Sequence, residues 1–391
     1  MNDNLEQTKT TVPVPSAATD GEQPSGKNPT ASIAGDADKS KTSEEIMREH
    51  LRELQQISRM SDPNYLHTVS MNDLYDTVYE SRPPIIDGLL FAGTYLFAGA
   101  PKIGKSFLMA QLAFHVSAGL PLWGYEVHQG TVLYLALEDN NQRLQKRMYR
   151  MFGTDCSEKL HFATFARHLD EGLEDQLRHF VESHPDTRLI IIDTLQKIRE
   201  AGSDKYSYGS DYEIIAKLKR FADARGLCLL LVHHTRKQPA SDRFDMISGT
   251  NGLMGAADGA FLLQKEDRTS VNATLDISGR DQQDQRLYLV KDRVRLTWEL
   301  DHVETELWKA PPDPILESVA KLVTKDSPEW NGSPTELAAV LKTELPANVL
   351  TKHMNVNASR LKDEYNIGYE NKARHEGRRI RLHYLIVAEV V

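Results

Sequence analysis

An α/β fold built on a mostly parallel sheet is predicted by three observations. Short β-rich apolar runs alternate with helical stretches from about residue 85 to 310. Those runs are apolar almost throughout, rather than at every second position, which is the pattern of strands covered by helices on both faces. A glycine-rich octet, GAPKIGKS at Gly99–Ser106, lies directly between the first such strand and the helix that follows. There the backbone N–H groups and the helix N-terminus converge on an anion.

Taken in order, residues 1–45 are rich in Ser, Thr, Pro, Gly and Asp and nearly free of large apolar side chains, so disorder is predicted for this tail. Helical spacing at Ile46, Leu51, Leu54 and Ile57 predicts a lead-in helix, and the compact domain is placed at 46–310. Its predicted strands are TYLFAGA, TVLYLALE, LHFATFA, RLIIIDT and LCLLLVHH, with helices such as SFLMAQLAFHVSAG, NNQRLQKRMYRMF and SDYEIIAKLKRFADARG between them. GAFLLQK, VNATLDISGR, RLYLVKD and LTWELD then follow one another without helices, as a more antiparallel extension would. Pro311, Pro312 and Pro314 stiffen a linker. A small C-terminal α+β domain is predicted over 311–391.

The octet fits the phosphate-cradle pattern of two glycines followed by Lys and Ser. Gly99, Ala100, Pro101, Lys102, Ile103, Gly104, Lys105, Ser106 and Phe107 are the expected nucleotide contacts. Lys105 would reach the β- and γ-phosphates of ATP, and Ser106 would ligate Mg²⁺. A second metal-holding group is expected at the end of a neighbouring strand, and Asp193 follows the four apolar residues Leu189–Ile192. Its competing role is a cap for the next helix. Glu138 ends TVLYLALE and could activate water, or be a solvated strand end, while Asp139 reads as the cap of the next helix.

With GAPKIGKS, LALED, IIIDT and LLLVHHTRK in this order, the region from about 85 to 300 resembles the RecA-like P-loop ATPases, and within them the plasmid RepA-type branch related to the DnaB replicative helicases. The resemblance implies Lys105 and Ser106 for phosphate and Mg²⁺, Glu138 as base, Asp193 for Mg²⁺ and His234, or its neighbour His233, as γ-phosphate sensor. It also implies a homo-oligomeric ring, a hexamer for preference, whose sites are completed by a basic residue of the next subunit. Arg280 in ISGRD resembles that arginine finger, with Arg286, Lys291, Arg293 and Arg295 as competitors. A replication initiator or primase is the partner such a helicase implies.

The same resemblance places two DNA-facing loops at Arg199–Asp211 and Thr235–Gly252, with Arg199, Lys205, Tyr206, Arg236, Lys237, Arg243 and Phe244 suited to phosphates or bases of single-stranded DNA. The last domain reads as helices followed by a hairpin and looks like a winged helix. Asn355–Lys362 (NVNASRLK) would be its recognition helix and the Gly377 turn its wing. From Ile367 to His383 the bases Lys372, Arg374, Arg378, Arg379 and Arg381 face only Glu370 and Glu376, which suits duplex DNA.

The formal charge of −9, from 47 Lys+Arg against 56 Asp+Glu, excludes blanket nucleic-acid binding, so any such contact must be local. Cys156 and Cys228 alone exclude a disulfide framework or a zinc knuckle. No apolar run is long enough for a membrane span and no leader is visible at the N-terminus, so a cytoplasmic protein is expected. The expected function is an ATP-dependent helicase or translocase of a plasmid, phage or mobile element. A DNA-binding regulatory or recombination ATPase and a nucleotide switch independent of DNA are the rivals.

Overall fold

A computed structural model describes residues 47, 64–66 and 68–385 apart from 80–82, 200–207, 236–242, 248–250, 268, 281, 306–310 and 375–376. The predicted tail at 1–45 and, but for Met47, the lead-in helix over 46–57 lie outside the described residues. Ser70–Val391 form one compact unit.

A 9-stranded sheet organises the larger part. Its strands are β1 (Gly93–Gly99), β2 (Thr131–Ala136), β3 (Leu160–Ala163), β4 (Thr187–Asp193), β5 (Cys228–His234), β6 (Gly259–Gln264), β7 (Asn272–Gly279), β8 (Gln285–Lys291) and β9 (Trp298–Val303). Their order is β3-β2-β4-β5-β1-β6-β7-β8-β9. The helices α1 (Met71–Asp76), α2 (Lys105–Ala118), α3 (Asn141–Phe152), α4 (Leu173–Ser183), α5 (Tyr208–Arg225) and α6 (Asn251–Ala256) accompany it. Strand residues alternate between two cores. Phe97, Tyr134, Ile191 and Leu230 meet Leu108, Met109 and Leu112 of α2 and Leu144 and Met151 of α3. Leu96, Leu133, Ile190 and Leu229 meet Leu173 and Leu177 of α4 and Ile215, Leu218 and Phe221 of α5. Cover on both faces is the physical reason these strands are apolar at every position.

The antiparallel extension begins one strand later than the sequence suggested. β6 pairs parallel to β1, with Tyr95 opposite Gly259, and only β7, β8 and β9 alternate in direction. The short α6, inside a stretch taken for a loop, supplies the crossover that a parallel pair requires.

The C-terminal part contains α7 (Pro314–Leu322), β10 (Glu329–Gly332), α8 (Pro334–Leu341), α9 (Ala347–Val356), α10 (Ala358–Tyr365), β11 (Ile367–Arg374) and β12 (Gly377–Tyr384). Its sheet runs β10-β12-β11. Leu316, Val319, Leu337, Leu350, Met354, Leu361, Ile367, Ile380 and Leu382 form a separate core. Two caps start its helices: Asp313 accepts from the N–H groups of Ile315 and Leu316, and Ser333 forms a capping box with Glu336. Such caps contribute about 1 kcal/mol each. NVNASRLK is not one helix, because α9 ends at Val356 and Asn357, outside helical geometry at φ −99° and ψ 13°, separates it from α10.

Candidate functional site

The parallel strands all deliver their C-terminal ends to one edge of the sheet. Lys102, Lys105, Ser106, Glu138, Asp139, Asp193, Thr194, His234 and Lys291 line a single cavity there. Its volume of about 550 Å³ suits a small-molecule ligand.

Glycine is required twice in the cradle. A Cβ on Gly99 would stand 2.8 Å from the Leu263 carbonyl, and Gly104 has φ +109° with Trp298 and the Lys291 ammonium beside it. Trp298, fully buried, supports the loop from β9, and its backbone N–H and C=O both bond to Gln111 of α2. That link fixes the helix start against the sheet.

Lys105 is 6% exposed. Its Nζ donates to the carbonyls of Gly99 at 2.7 Å and Ala100 at 3.0 Å and lies 3.2 Å from His234 Nδ1. Burial brings the ammonium down to about 8, against the opposing pull of Asp193 and Glu138. Burial, then the Lys105 charge, lowers His234 as well. The preceding residue, His233, is buried by the alternation of the strand and does not line the cavity.

Asp193 is raised by burial, an effect opposed by hydrogen bonds from Ser106 and Tyr134. The Tyr134 hydroxyl donates to Asp193 Oδ2 at 3.0 Å. These partners place Asp193 beside the cradle, and the short 3-10 turn Leu195–Ile198 has no side-chain cap. Thr194 donates to Glu138 Oε1 at 3.3 Å. The cap of α3 is Asn140, which accepts from the Arg143 N–H at 2.9 Å, and not Asp139 as the sequence suggested. Asp139 pairs instead with Arg143 at 3.2 Å and Arg147 at 2.5 Å.

These side chains fit a magnesium–nucleotide complex: a glycine cradle, a desolvated ammonium, and a hydroxyl paired with a buried carboxylate are what phosphate oxygens and a hard cation need. Among the described residues no group of three or more His, Cys, Asp or Glu could hold a metal ion.

Arg280 lies elsewhere. It follows Gly279, which opposes Gly259 at the start of β6, and its guanidinium donates to the Gly255 carbonyl at 2.8 Å. The register puts it four to five strand residues, roughly 15 Å, from the cradle of its own chain. Lys291 was the residue the sequence undervalued. It lies 4.3 Å above the Phe107 ring centroid and is brought to about 8 by burial and then by the cations Lys265, Arg150 and Arg147. The apparent strand RLYLVKD carried no sign that β8 returns to the cradle edge.

The loop residues divide. Arg199 forms an ion pair with Asp211 at 2.9 Å in which both side chains are buried, so it does not present itself to solvent as a phosphate contact. Arg243 pairs with Asp276 at 3.2 Å and remains half exposed. Lys205, Tyr206, Arg236 and Lys237 lie outside the described residues.

Residues 61–240 match the protein family described as AAA domain. Among solved structures the chain is similar to a DnaB-like replicative helicase, reported with its interactions with primase, at 16% identity and TM-score 0.46, covering 65% of this chain and 71% of that one. It is also similar to a KaiC-like protein of the hyperthermophilic archaeon Pyrococcus horikoshii OT3, at 14% identity and TM-score 0.40, covering 57% and 99%. A search of curated proteins found no match. Among the described residues no helix is long and apolar enough to cross a membrane. The segment that matches the AAA domain family, 61–240, contains the glycine cradle between β1 and α2 together with Glu138, Asp193 and His234.

Proposed function

We propose that the chain is a ring-forming ATPase that moves along single-stranded DNA, a helicase or translocase, with the C-terminal domain as a winged-helix DNA contact. The observation that carries this reading is the convergence of Lys105, Ser106, Glu138, Asp193 and His234 on one cavity. Bound Mg²⁺·ATP supplies the phosphoryl bond that water cleaves. Lys105 would exchange its carbonyl partners for phosphate oxygens, and Ser106 with Asp193 would hold the Mg²⁺. Glu138, oriented by the Thr194 hydroxyl, takes a proton from the attacking water. His234, whose Nδ1 lies 3.2 Å from the Lys105 ammonium, is the γ-phosphate sensor in this reading. A hexameric ring and a primase or initiator partner belong to the same reading.

Phosphate release with increasing single-stranded DNA tests it. Stimulation of turnover is expected, and a rate indifferent to DNA would favour a nucleotide switch.

Arg280 completes the site of the next subunit in this scheme. Rings mixed from Arg280→Ala and Glu138→Gln subunits should therefore regain activity that neither parent has, since one type of interface joins an intact base to an intact finger. No recovery in rings shown by mass spectrometry to be mixed would remove Arg280 from the role.

The succession helix, strand, three helices and hairpin, with Gly377 at φ +113° in the turn, supports the winged-helix reading. Removing two of its bases, Arg379→Ala with Arg381→Ala, should weaken DNA binding about equally across sequences and flatten the salt slope by roughly one unit for each phosphate no longer neutralised. Titrations at several salt concentrations measure this, and an unchanged slope would leave the domain a protein-binding module.

A further inference from the structure

The short helix ahead of the ATPase core lies across the C-terminal domain. Asn355 Nδ2 of α9 donates to the Tyr75 carbonyl of α1 at 2.9 Å. Lys352, also on α9, donates to Asn72 Oδ1 at 3.0 Å, with its ammonium 5.9 Å from the Tyr75 ring centroid. Arg378 at the start of β12 pairs with Asp76 at 3.1 Å. Val78, just beyond α1, packs against the C-terminal core. The contact is not a grazing one. Asn355 is buried, and its side-chain carbonyl accepts from Tyr369 and Asn371 of β11, so the link to Tyr75 belongs to an interior network. A capping box between Ser70 and Asp73 holds α1 in shape.

The covered elements are those that matter for DNA. In a helix-turn-helix the second helix enters the groove, and here that helix is α9, following α8, with the β11–β12 hairpin beside it. Lys352 on the helix and Arg378 on the hairpin are the cations a phosphate backbone would meet, and one six-residue helix engages both. The other described bases of the hairpin pair within their own domain: Lys372 with Glu370, Arg379 with Glu336, and Arg381 with Glu329 and Glu370. Among the described residues, Asp76 is the acidic partner of a hairpin base that comes from the segment leading into the ATPase core, where Ile85 and Ile86 are buried.

The geometry points to α1 as a latch: residues 70–78 close the DNA-facing side of the C-terminal domain, and duplex DNA competes with them for Lys352 and Arg378. This inference rests on the DNA-binding reading above and adds its regulation. The exposed Arg378–Asp76 ion pair and Lys352–Asn72 hydrogen bond are the weak part of this closure, and a row of phosphates can replace them. Opening it also removes a tie between the C-terminal domain and the ATPase core, so DNA engagement would alter how freely one moves relative to the other.

The test is the affinity of the full chain for a fluorescent mixed-sequence duplex, measured by anisotropy. Asn72→Ala with Asp76→Asn removes two latch interactions at exposed positions, and unchanged ATP hydrolysis without DNA verifies that the protein is folded. Glu329→Gln removes the same charge beside Arg381 without touching α1. The latch predicts roughly three- to tenfold tighter binding by the α1 variant and less than a twofold change for Glu329→Gln. Equal tightening in both means that charge alone is responsible and overturns the latch. Unchanged affinity of the α1 variant, while Arg379→Ala with Arg381→Ala weakens binding, overturns the latch and leaves the DNA face standing. Unchanged affinity in the arginine variant overturns the DNA face and the latch with it.

Discussion

Glu138→Gln protein should bind Mg²⁺·ATP much as the unaltered chain does and hydrolyse it roughly 10²- to 10⁴-fold more slowly, the contribution expected of a positioned general base. The substitution keeps the shape of the side chain and an oxygen for the Thr194 hydroxyl, which now lies 3.3 Å from Oε1. What it removes is the ability to accept a proton. Binding changes little because the phosphate contacts come from the cradle and Lys105, on β1 and α2, whereas Glu138 follows β2. Nucleotide titration and single-turnover phosphate release separate the two effects. Full turnover would transfer the role to another carboxylate. Asp139 is a poor substitute while Arg143 and Arg147 hold it.

Lys105→Ala should cost binding itself, by roughly 10²-fold or more, because a buried charge that loses its partner is penalised by several kcal/mol. The Lys105 ammonium is largely desolvated and brought down to about 8. A phosphate dianion would restore its preference for the charged form, so the lysine and the nucleotide stabilise each other. Loss of fold does not explain the effect, since the Ala side chain leaves the buried strand β1 and the apolar face of α2 intact. Fluorescent-nucleotide titration checks the loss, with circular dichroism to verify folding. Near-normal affinity would mean that Lys102 or Lys291, which line the same cavity, carry the phosphates.

The core was legible because its signals are local. A strand buried on both faces must be apolar throughout, and a phosphate cradle must have glycine where Gly99 meets the Leu263 carbonyl and where Gly104 takes φ +109°. Asp193 was legible for a similar reason, as a carboxylate ending an apolar strand. The sequence misled where partners come from far along the chain. GAFLLQK looks alike whether its neighbour is parallel or antiparallel, and only α6 decides the direction of β6. The approach of Lys291 to Phe107 depends on β8 running back to the cradle edge. Counting charge along the hairpin gave a surplus of bases, yet Asp76, 302 residues from Arg378, offsets part of it. The break at Asn357 shows the reverse limit, since neither helix on either side carries a strong stop signal.

Strand displacement is the measurement that bears most directly on the central claim. A forked duplex with a single-stranded tail, incubated with the full-length protein, Mg²⁺ and ATP, should be separated, and Lys105→Ala protein should leave it paired. Brisk, Lys105-dependent ATP hydrolysis with no separation of forks carrying either tail polarity would contradict the helicase reading and leave an ATPase that binds DNA without unwinding it.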